Sequence, residues 1–362
     1  MATILFTGFP GFLGSELLPR VLSREKGAVA ACLVQPRFAE LARRRAAELE
    51  AADPSLAGRI RLVEGDITAP DLGLGAAADL RADVVEAWHL AAVYDLSVRR
   101  DVGTRVNVLG TRNVLGFARD CPGLRRLHYV STCYVSGRFP GLFGEDDLVK
   151  GQAFNNFYEE TKYLAEVEVQ LFMRGGLPAT IYRPGIVVGD SVTGATQKYD
   201  GPYHVIRWLL RNPPLAVMPV VGDPTACTVN LVPRDFVVAA MAHLSGLPHA
   251  LGKVYQLADP EPLTVDALLS EVARATGRRL LRIPLPLGLA KFAIDKVPGV
   301  NALLRIPSAS VDYFVHPTRY STANARADLA GSGIAVPPFP SYVDRLVEFV
   351  RRHPEIGSAA MA

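Results

Sequence analysis

The chain has 362 residues, with 39 Lys and Arg against 36 Asp and Glu, for a net charge of +3. Hydrophobic residues make up 49% and charged residues 21%, an ordinary globular composition that excludes disorder outside the small tail at 357–362. The near-balance of charge argues against a nucleic-acid partner, and no apolar run approaches the roughly 20 residues that cross a bilayer.

The length suits two units, or one large α/β domain with an insertion. The N-terminus runs straight into a glycine motif without a basic leader, so a cytoplasmic protein is expected. Cys32, Cys121, Cys133 and Cys227 form no CxxC pair and stand at no metal-ligand spacing from a histidine, so reduced thiols and no metal are expected.

Up to about residue 188, short apolar runs alternate with helical stretches. Strands are predicted at Thr3–Thr7, Val29–Val34, Ile60–Glu64, Val84–His89, Arg126–Ser131 and Ala179–Arg183. Helices are predicted at Phe12–Ser23, Phe38–Glu50, Asp101–Cys121 and Asn156–Met173. The alternation implies a Rossmann-like, doubly wound parallel sheet in residues 1–188. Beyond Gly189, Pro and Gly become dense, and 189–356 reads as a smaller, irregular substrate-binding cap. Helical periodicity persists there at Phe236–His243, Val265–Ala275 and Tyr342–Arg351, and the chain has the option of re-entering the sheet around 228–260.

The first strand leads into Gly8-Phe9-Pro10-Gly11-Phe12-Leu13-Gly14 and then a helix. GxxGxxG in that place does what a dinucleotide loop requires. It turns tightly, lets backbone approach a pyrophosphate, and offers the N–H groups of a helix start to negative charge. An acid at the end of the second strand would bind an adenosine ribose and repel a 2′-phosphate. This chain has Gln35 there, with Arg37 and Arg43 to Arg45 following, which favours NADP over NAD; the arginines also suit a solvated helix face paired with Glu40 and Glu48. After the third strand, Gly65-Asp66-Ile67 places a carboxylate where it would accept from an adenine amino group, or cap its own turn.

Tyr158 and Lys162 stand four residues apart, on one face of a predicted helix. An ammonium beside a phenol lowers its pKa toward useful proton transfer, and the lysine would also reach a nicotinamide ribose. Ser131 and Thr132 end the fifth strand, at the edge where such sheets bind ligands, and a hydroxyl there would hold a carbonyl oxygen as charge develops on it. His89 reads as a core histidine, while Ala91 and Ala92 give a close approach to a cofactor. Asn107 is expected to hold a backbone bend or a water near Lys162.

Taken in order, these pieces resemble the extended short-chain dehydrogenases/reductases. TGFPGFLG (Thr7–Gly14), LVEGDIT (Leu62–Thr68), HLAAVYDL (His89–Leu96), NVLGTRNVL (Asn107–Leu115), YVSTCYVSG (Tyr129–Gly137), YEETKYLAE (Tyr158–Glu166) and YRPGIVVGDS (Tyr182–Ser191) are similar to the fatty acyl-CoA reductase and thioester reductase, male-sterility-type, branch. The resemblance implies Tyr158 as proton donor, Lys162 as its assistant and Thr132, rather than Ser131, as the hydroxyl that polarises the carbonyl. It implies backbone contacts from Pro184, Gly185, Ile186 and Val187 to the nicotinamide carboxamide.

The implied reaction is NAD(P)H-dependent reduction of an acyl thioester, CoA- or carrier-bound, or of a fatty aldehyde. A hydroxysteroid-type ketone/alcohol dehydrogenase, a sugar-nucleotide epimerase or dehydratase, and a non-catalytic dinucleotide sensor are the alternatives. Gln35 stands where the branch often has Arg, so Arg37 or Arg44 would have to meet the 2′-phosphate. Arg278–Pro307, apolar and basic by turns, suits an acyl channel or peripheral membrane contact, or a cap helix with snorkelling cations.

Overall fold

A computed structural model of the chain describes residues 2–296 and 311–357. Seven parallel strands form the main sheet: β1 (Thr3–Thr7), β2 (Val29–Val34), β3 (Ile60–Glu64), β4 (Val84–His89), β5 (Arg126–Val130), β7 (Ala179–Pro184) and β11 (Val254–Leu257), in the order β11-β7-β5-β4-β1-β2-β3. The chain reverses direction across the sheet between β1 and β4, which opens a crevice at their carboxyl ends where such folds take ligands. β1 is buried at every position, and most of β2, β4, β5 and β7 is buried as well, as expected of strands covered on both faces.

One face is covered by α1 (Gly14–Arg24), α2 (Ala39–Ala52) and α7 (Arg234–Ser245), whose apolar sides join Phe6, Trp88 and Tyr182 in one core. The other is covered by α4 (Gly110–Arg119) and α5 (Phe157–Arg174), around Leu5, Leu127 and Ile181, while α3 (Arg100–Gly103) packs on α5 beside Val93, Val98 and Tyr158. The predicted single helix Asp101–Cys121 is interrupted by a π turn over Thr104–Leu109. Asn107 lies in that turn and donates its amide to Val93 O and Thr161 Oγ1 (3.3 and 3.0 Å), while its oxygen accepts from Val93 N (2.9 Å). These are local demands that an ideal helix register does not anticipate.

The second half is more regular than its Pro and Gly content suggests. Pro202 stands at the first turn of α6 (Pro202–Arg211), where a missing N–H costs nothing. With α8 (Val265–Thr276) and the last helix, Val343–Arg352, it builds a third core around Trp208, Leu269 and Leu346. Between these stretches the chain returns to the main sheet through β11, which pairs with β7, and α7 packs on α1. Two-stranded pairs complete the fold: β8 (Ile186–Val188) with β10 (Leu231–Pro233), β9 (Leu215–Val220) with β12 (Arg279–Pro284), and β6 (Gly141–Phe143) with β13 (Thr318–Tyr320).

The basic stretch from Arg278 is largely satisfied by protein. Arg278 donates to Leu209 O and Asn212 O, Arg282 pairs with Asp266, and Lys291, in α9 (Leu287–Lys296), pairs with Asp312. Residues 297–307 of that stretch, Arg305 included, and 358–362 of the tail lie outside the described residues; Gly357 accepts a hydrogen bond from Tyr199 N. Among the described residues no helix is long and apolar enough to cross a membrane, and no three potential metal ligands cluster.

Candidate active site

A cavity of about 680 Å3 runs from the glycine loop, past the carboxyl ends of β1, β4, β5 and β7, and in between α6 and α8. The loop fits a dinucleotide. Gly8 has φ +90°, and a Cβ there would stand 2.8 Å from Leu90 Cβ and 2.9 Å from Ala91 N; a Cβ on Gly11 would meet Gly8 O at 2.8 Å. Only hydrogen at these positions lets the turn sit against the strand end and leave the space in front open. Leu13 precedes α1 without a side-chain cap, and although Ser15 N and Glu16 N already donate to Gly11 O and Leu13 O, the turn Gly11–Gly14 lines the cavity and brings the positive end of the helix to where a phosphate would lie. Pro10, Phe12 and Gly14 line the same wall, with Ala91 and Ala92 opposite and Pro184, Gly185, Ile186 and Val187 further in.

At the adenosine end the candidates separate. Arg37 lines the cavity, donates Nε to Gln35 Oε1 (2.9 Å) and lies over the Phe38 ring (4.8 Å). Arg44 is exposed and lines no part of the cavity, while its neighbours Arg43 and Arg45 pair with Glu40 and Glu48. Asp66 is also turned aside. Its carboxylate accepts from Gln35 Nε2 and from Thr68 N, both at 2.8 Å, so it braces its own turn while Gly65 and Ile67 face the cavity. Asn107 does not line the cavity; its amide holds the Val93 backbone, as a residue bracing a bend would, and Thr161.

Thr132, Tyr158 and Lys162 meet at the centre. The Asn156 side chain caps α5 by accepting from Glu159 N, which starts the helix so that Tyr158 and Lys162, one turn apart, both face inward and are buried. Lys162 Nζ donates to Tyr129 OH and Val130 O, each at 2.9 Å. Burial pushes its ammonium down to about 7, against the pull of Glu166.

The expected lowering of the Tyr158 pKa by Lys162 is absent. Burial moves the phenol above its ordinary value, and the opposing influence is a hydrogen bond with Thr132. Tyr158 is therefore a neutral hydroxyl near neutral pH, the form a proton donor needs. Ser131 also lines the cavity, but its hydroxyl donates to Glu166 Oε2 (2.5 Å), whereas the Thr132 hydroxyl donates to Pro184 O (3.4 Å), accepts from Tyr134 N (3.3 Å) and lies within hydrogen-bond reach of Tyr158. His89 is a core residue, held between Thr7 Oγ1 (2.8 Å) and Thr111 Oγ1 (3.0 Å), with burial and the Lys162 charge keeping it neutral at about 3.

Five further residues complete the centre. Tyr94 packs edge-on against Tyr158 with ring centroids 5.0 Å apart. Lys198 bonds Tyr94 O (3.2 Å), lies over its ring and pairs with Asp200 (3.0 Å), so the strap 196–201 closes over Tyr158. Tyr134 and Tyr313 pack against each other on the far wall. Tyr94 and Tyr134 fall inside the His89–Leu96 and Tyr129–Gly137 segments, though the sequence assigned them no role; Lys198, Asp200 and Tyr313 belong to no motif and are brought in by tertiary folding.

This sheet, glycine loop and Thr–Tyr–Lys cluster define an NAD(P)-dependent reductase of the extended short-chain dehydrogenase/reductase type. The chain belongs to the NAD-binding family described as male sterility protein, whose profile matches residues 6–241. It is 31% identical over 280 residues to a linear gramicidin synthase of Brevibacillus parabrevis, covering 74% of this chain and 5% of that protein. With the aldehyde reductase lnbA of Aspergillus flavus it shares 27% over 300 residues, 78% of this chain and 29% of that one. The chain thus spans less than a third of the length of these relatives. Among solved structures, the terminal R domain from the myxalamid PKS-NRPS biosynthetic pathway superposes with a TM-score of 0.82 at 28% identity, over 98% of this chain and 91% of that one.

Proposed function

We propose that the chain reduces an acyl thioester, or the corresponding aldehyde, with NADPH as the preferred reductant. When bound, the nicotinamide supplies hydride to the carbonyl carbon. Thr132 donates a hydrogen bond to the carbonyl oxygen as negative charge grows there, a contribution of about 10²–10³ in rate for one such donor. Tyr158 gives that oxygen its proton. Lys162, fixed by Tyr129 and Val130, orients the ribose side of the site and replenishes positive charge beside the tyrosine. On a thioester the product is a hemithioacetal, which collapses to aldehyde and thiol. The strap held by Lys198 keeps water from the centre.

The observation that carries this reading is the meeting of Thr132, Tyr158 and Lys162 in one cavity, with a glycine cradle at one end and an apolar pocket at the other. The preference for NADPH rests on Arg37 at the cavity edge and on the neutral Gln35, which binds Asp66 and draws that acid away from a 2′-phosphate. The test is a panel of acyl-CoAs, carrier-bound acyl groups and aldehydes with either reductant. Turnover with NADPH, lost in Tyr158→Phe while cofactor binding persists, is expected. Undiminished turnover in Tyr158→Phe overturns the assignment.

A further inference from the structure

At its inner end the cavity leaves the polar centre and passes between Val205 of α6, Leu269 of α8 and Phe314. Behind these three lies a second cavity of about 50 Å3 that shares them as its wall. Its ten described lining residues are all apolar, with Met218, Val220 and Ala290 at the back. The reason lies in β9, where Ala216, Met218 and Val220 point inward and are buried while Leu215 and Val217 alternate to the exposed face. A hydroxyl, amide or charge placed there would find no hydrogen-bond partner on the walls described and would be strongly disfavoured.

We propose that this inner cavity receives the end of a saturated, unbranched acyl chain, and that Leu269 and Ala290 set how long a chain is accepted. The inference rests on the reductase reading and adds to it the substrate's tail and the residues that select it. At roughly 10–15 Å3 of such space per small group, about four carbons fit beyond the Val205–Leu269–Phe314 constriction. Each buried methylene is worth about fourfold in kcat/KM, so the longest accepted chains gain on the order of a hundredfold over those that stop at the constriction.

The experiment measures kcat/KM with NADPH for straight-chain aldehydes from butanal to hexadecanal and for the matching CoA thioesters. The wild-type value is expected to climb about fourfold per methylene and then break. Ala290→Leu fills the inner cavity and moves the break to shorter chains, and Leu269→Ala opens the constriction and moves it to longer ones. A break at the same length in all three proteins, or a flat profile, overturns the proposal.

Should no carbonyl substrate turn over, the reductase reading fails, and the tail pocket is then judged by binding alone. Calorimetry with dodecanol would show binding that Ala290→Leu weakens at least tenfold if the pocket is as described. Equal affinity for both proteins, or none, removes it.

Discussion

Glu166→Gln tests how α5, the helix that carries Tyr158 and Lys162, is held in place. Glu166 and Arg183 are both fully buried and joined by Nη2 at 2.5 Å and Nε at 3.0 and 3.1 Å. Glu166 also accepts from Ser131 Oγ, so one carboxylate links α5, β7 and the end of β5. Arg183 has other acceptors, Gly144 O and Glu145 O at 3.3 Å and Asp147 O at 2.8 Å, but none carries charge. Neutralising Glu166 leaves a guanidinium buried without its counterion. Breaking such a pair costs about 3–5 kcal/mol, and the three carbonyls place this case near 3. With a urea slope near 3 kcal/mol/M, the midpoint falls by about 1 M. Urea titration followed by circular dichroism measures this. Arg183→Met in the Glu166→Gln background is expected to return much of the loss, because the uncompensated charge is then gone. A loss under about 1 kcal/mol in the single variant, or a double variant no better than the single, refutes the reasoning.

Further expectations concern the polar centre and the cofactor. Lys162 falls from 10.5 to about 7 on folding, so between those pH values the unfolded chain holds a proton that the folded chain does not, and stability rises with pH through that window. Relative to Lys162→Met, the wild type should gain about 1.4 kcal/mol per pH unit from pH 7 toward 10 and nothing below 7; a difference independent of pH would contradict the burial of that ammonium. Thr132→Val should lower kcat with an aldehyde substrate by about 10²–10³ while leaving the Kd for NADPH nearly unchanged, whereas Ser131→Ala should act chiefly on stability. Arg37→Ala should raise KM for NADPH and leave KM for NADH alone, and Arg44→Ala should change neither. Equal effects of the two arginine substitutions would remove Arg37 from the 2′-phosphate.

The central sheet was legible because its strands are nearly continuous apolar runs: Thr3–Thr7, Val29–Val34, Ile60–Glu64 and Val84–His89 have the same limits in the sequence reading and in the structure. The Tyr158–Lys162 pair was legible for a related reason, since helical spacing is a local property. What the sequence could not convey depends on contacts made across the chain. Asp66 and Asn107 carry suitable groups at suitable positions, yet one is bound by Gln35 and the other by Val93 and Thr161. Their choice of partner is settled by which loops arrive beside them. The same holds for Ser131 and Thr132, adjacent in sequence and differently bonded because Glu166, from α5, reaches one of them.

These partnerships also explain why the centre is divided as it is. A single buried amine beside a phenol would be expected to share its charge with it, but Lys162 is spent on Tyr129 and Val130 and remains poised near neutrality. Tyr158 is left protonated with Thr132 for company. For reduction this division suits the chemistry: the proton leaves from a group that starts neutral, and the nearby ammonium meets the phenolate only as it forms. In the opposite direction, oxidation of an alcohol, the tyrosine must begin as the anion, which the same burial opposes. The resting protonation state of Tyr158 is therefore the one from which carbonyl reduction starts. With the alcohol as substrate, kcat/KM for oxidation should still be climbing at pH 9, because burial keeps Tyr158 protonated there; an oxidative kcat/KM that levels off below pH 9 would show that burial does not hold the phenol neutral.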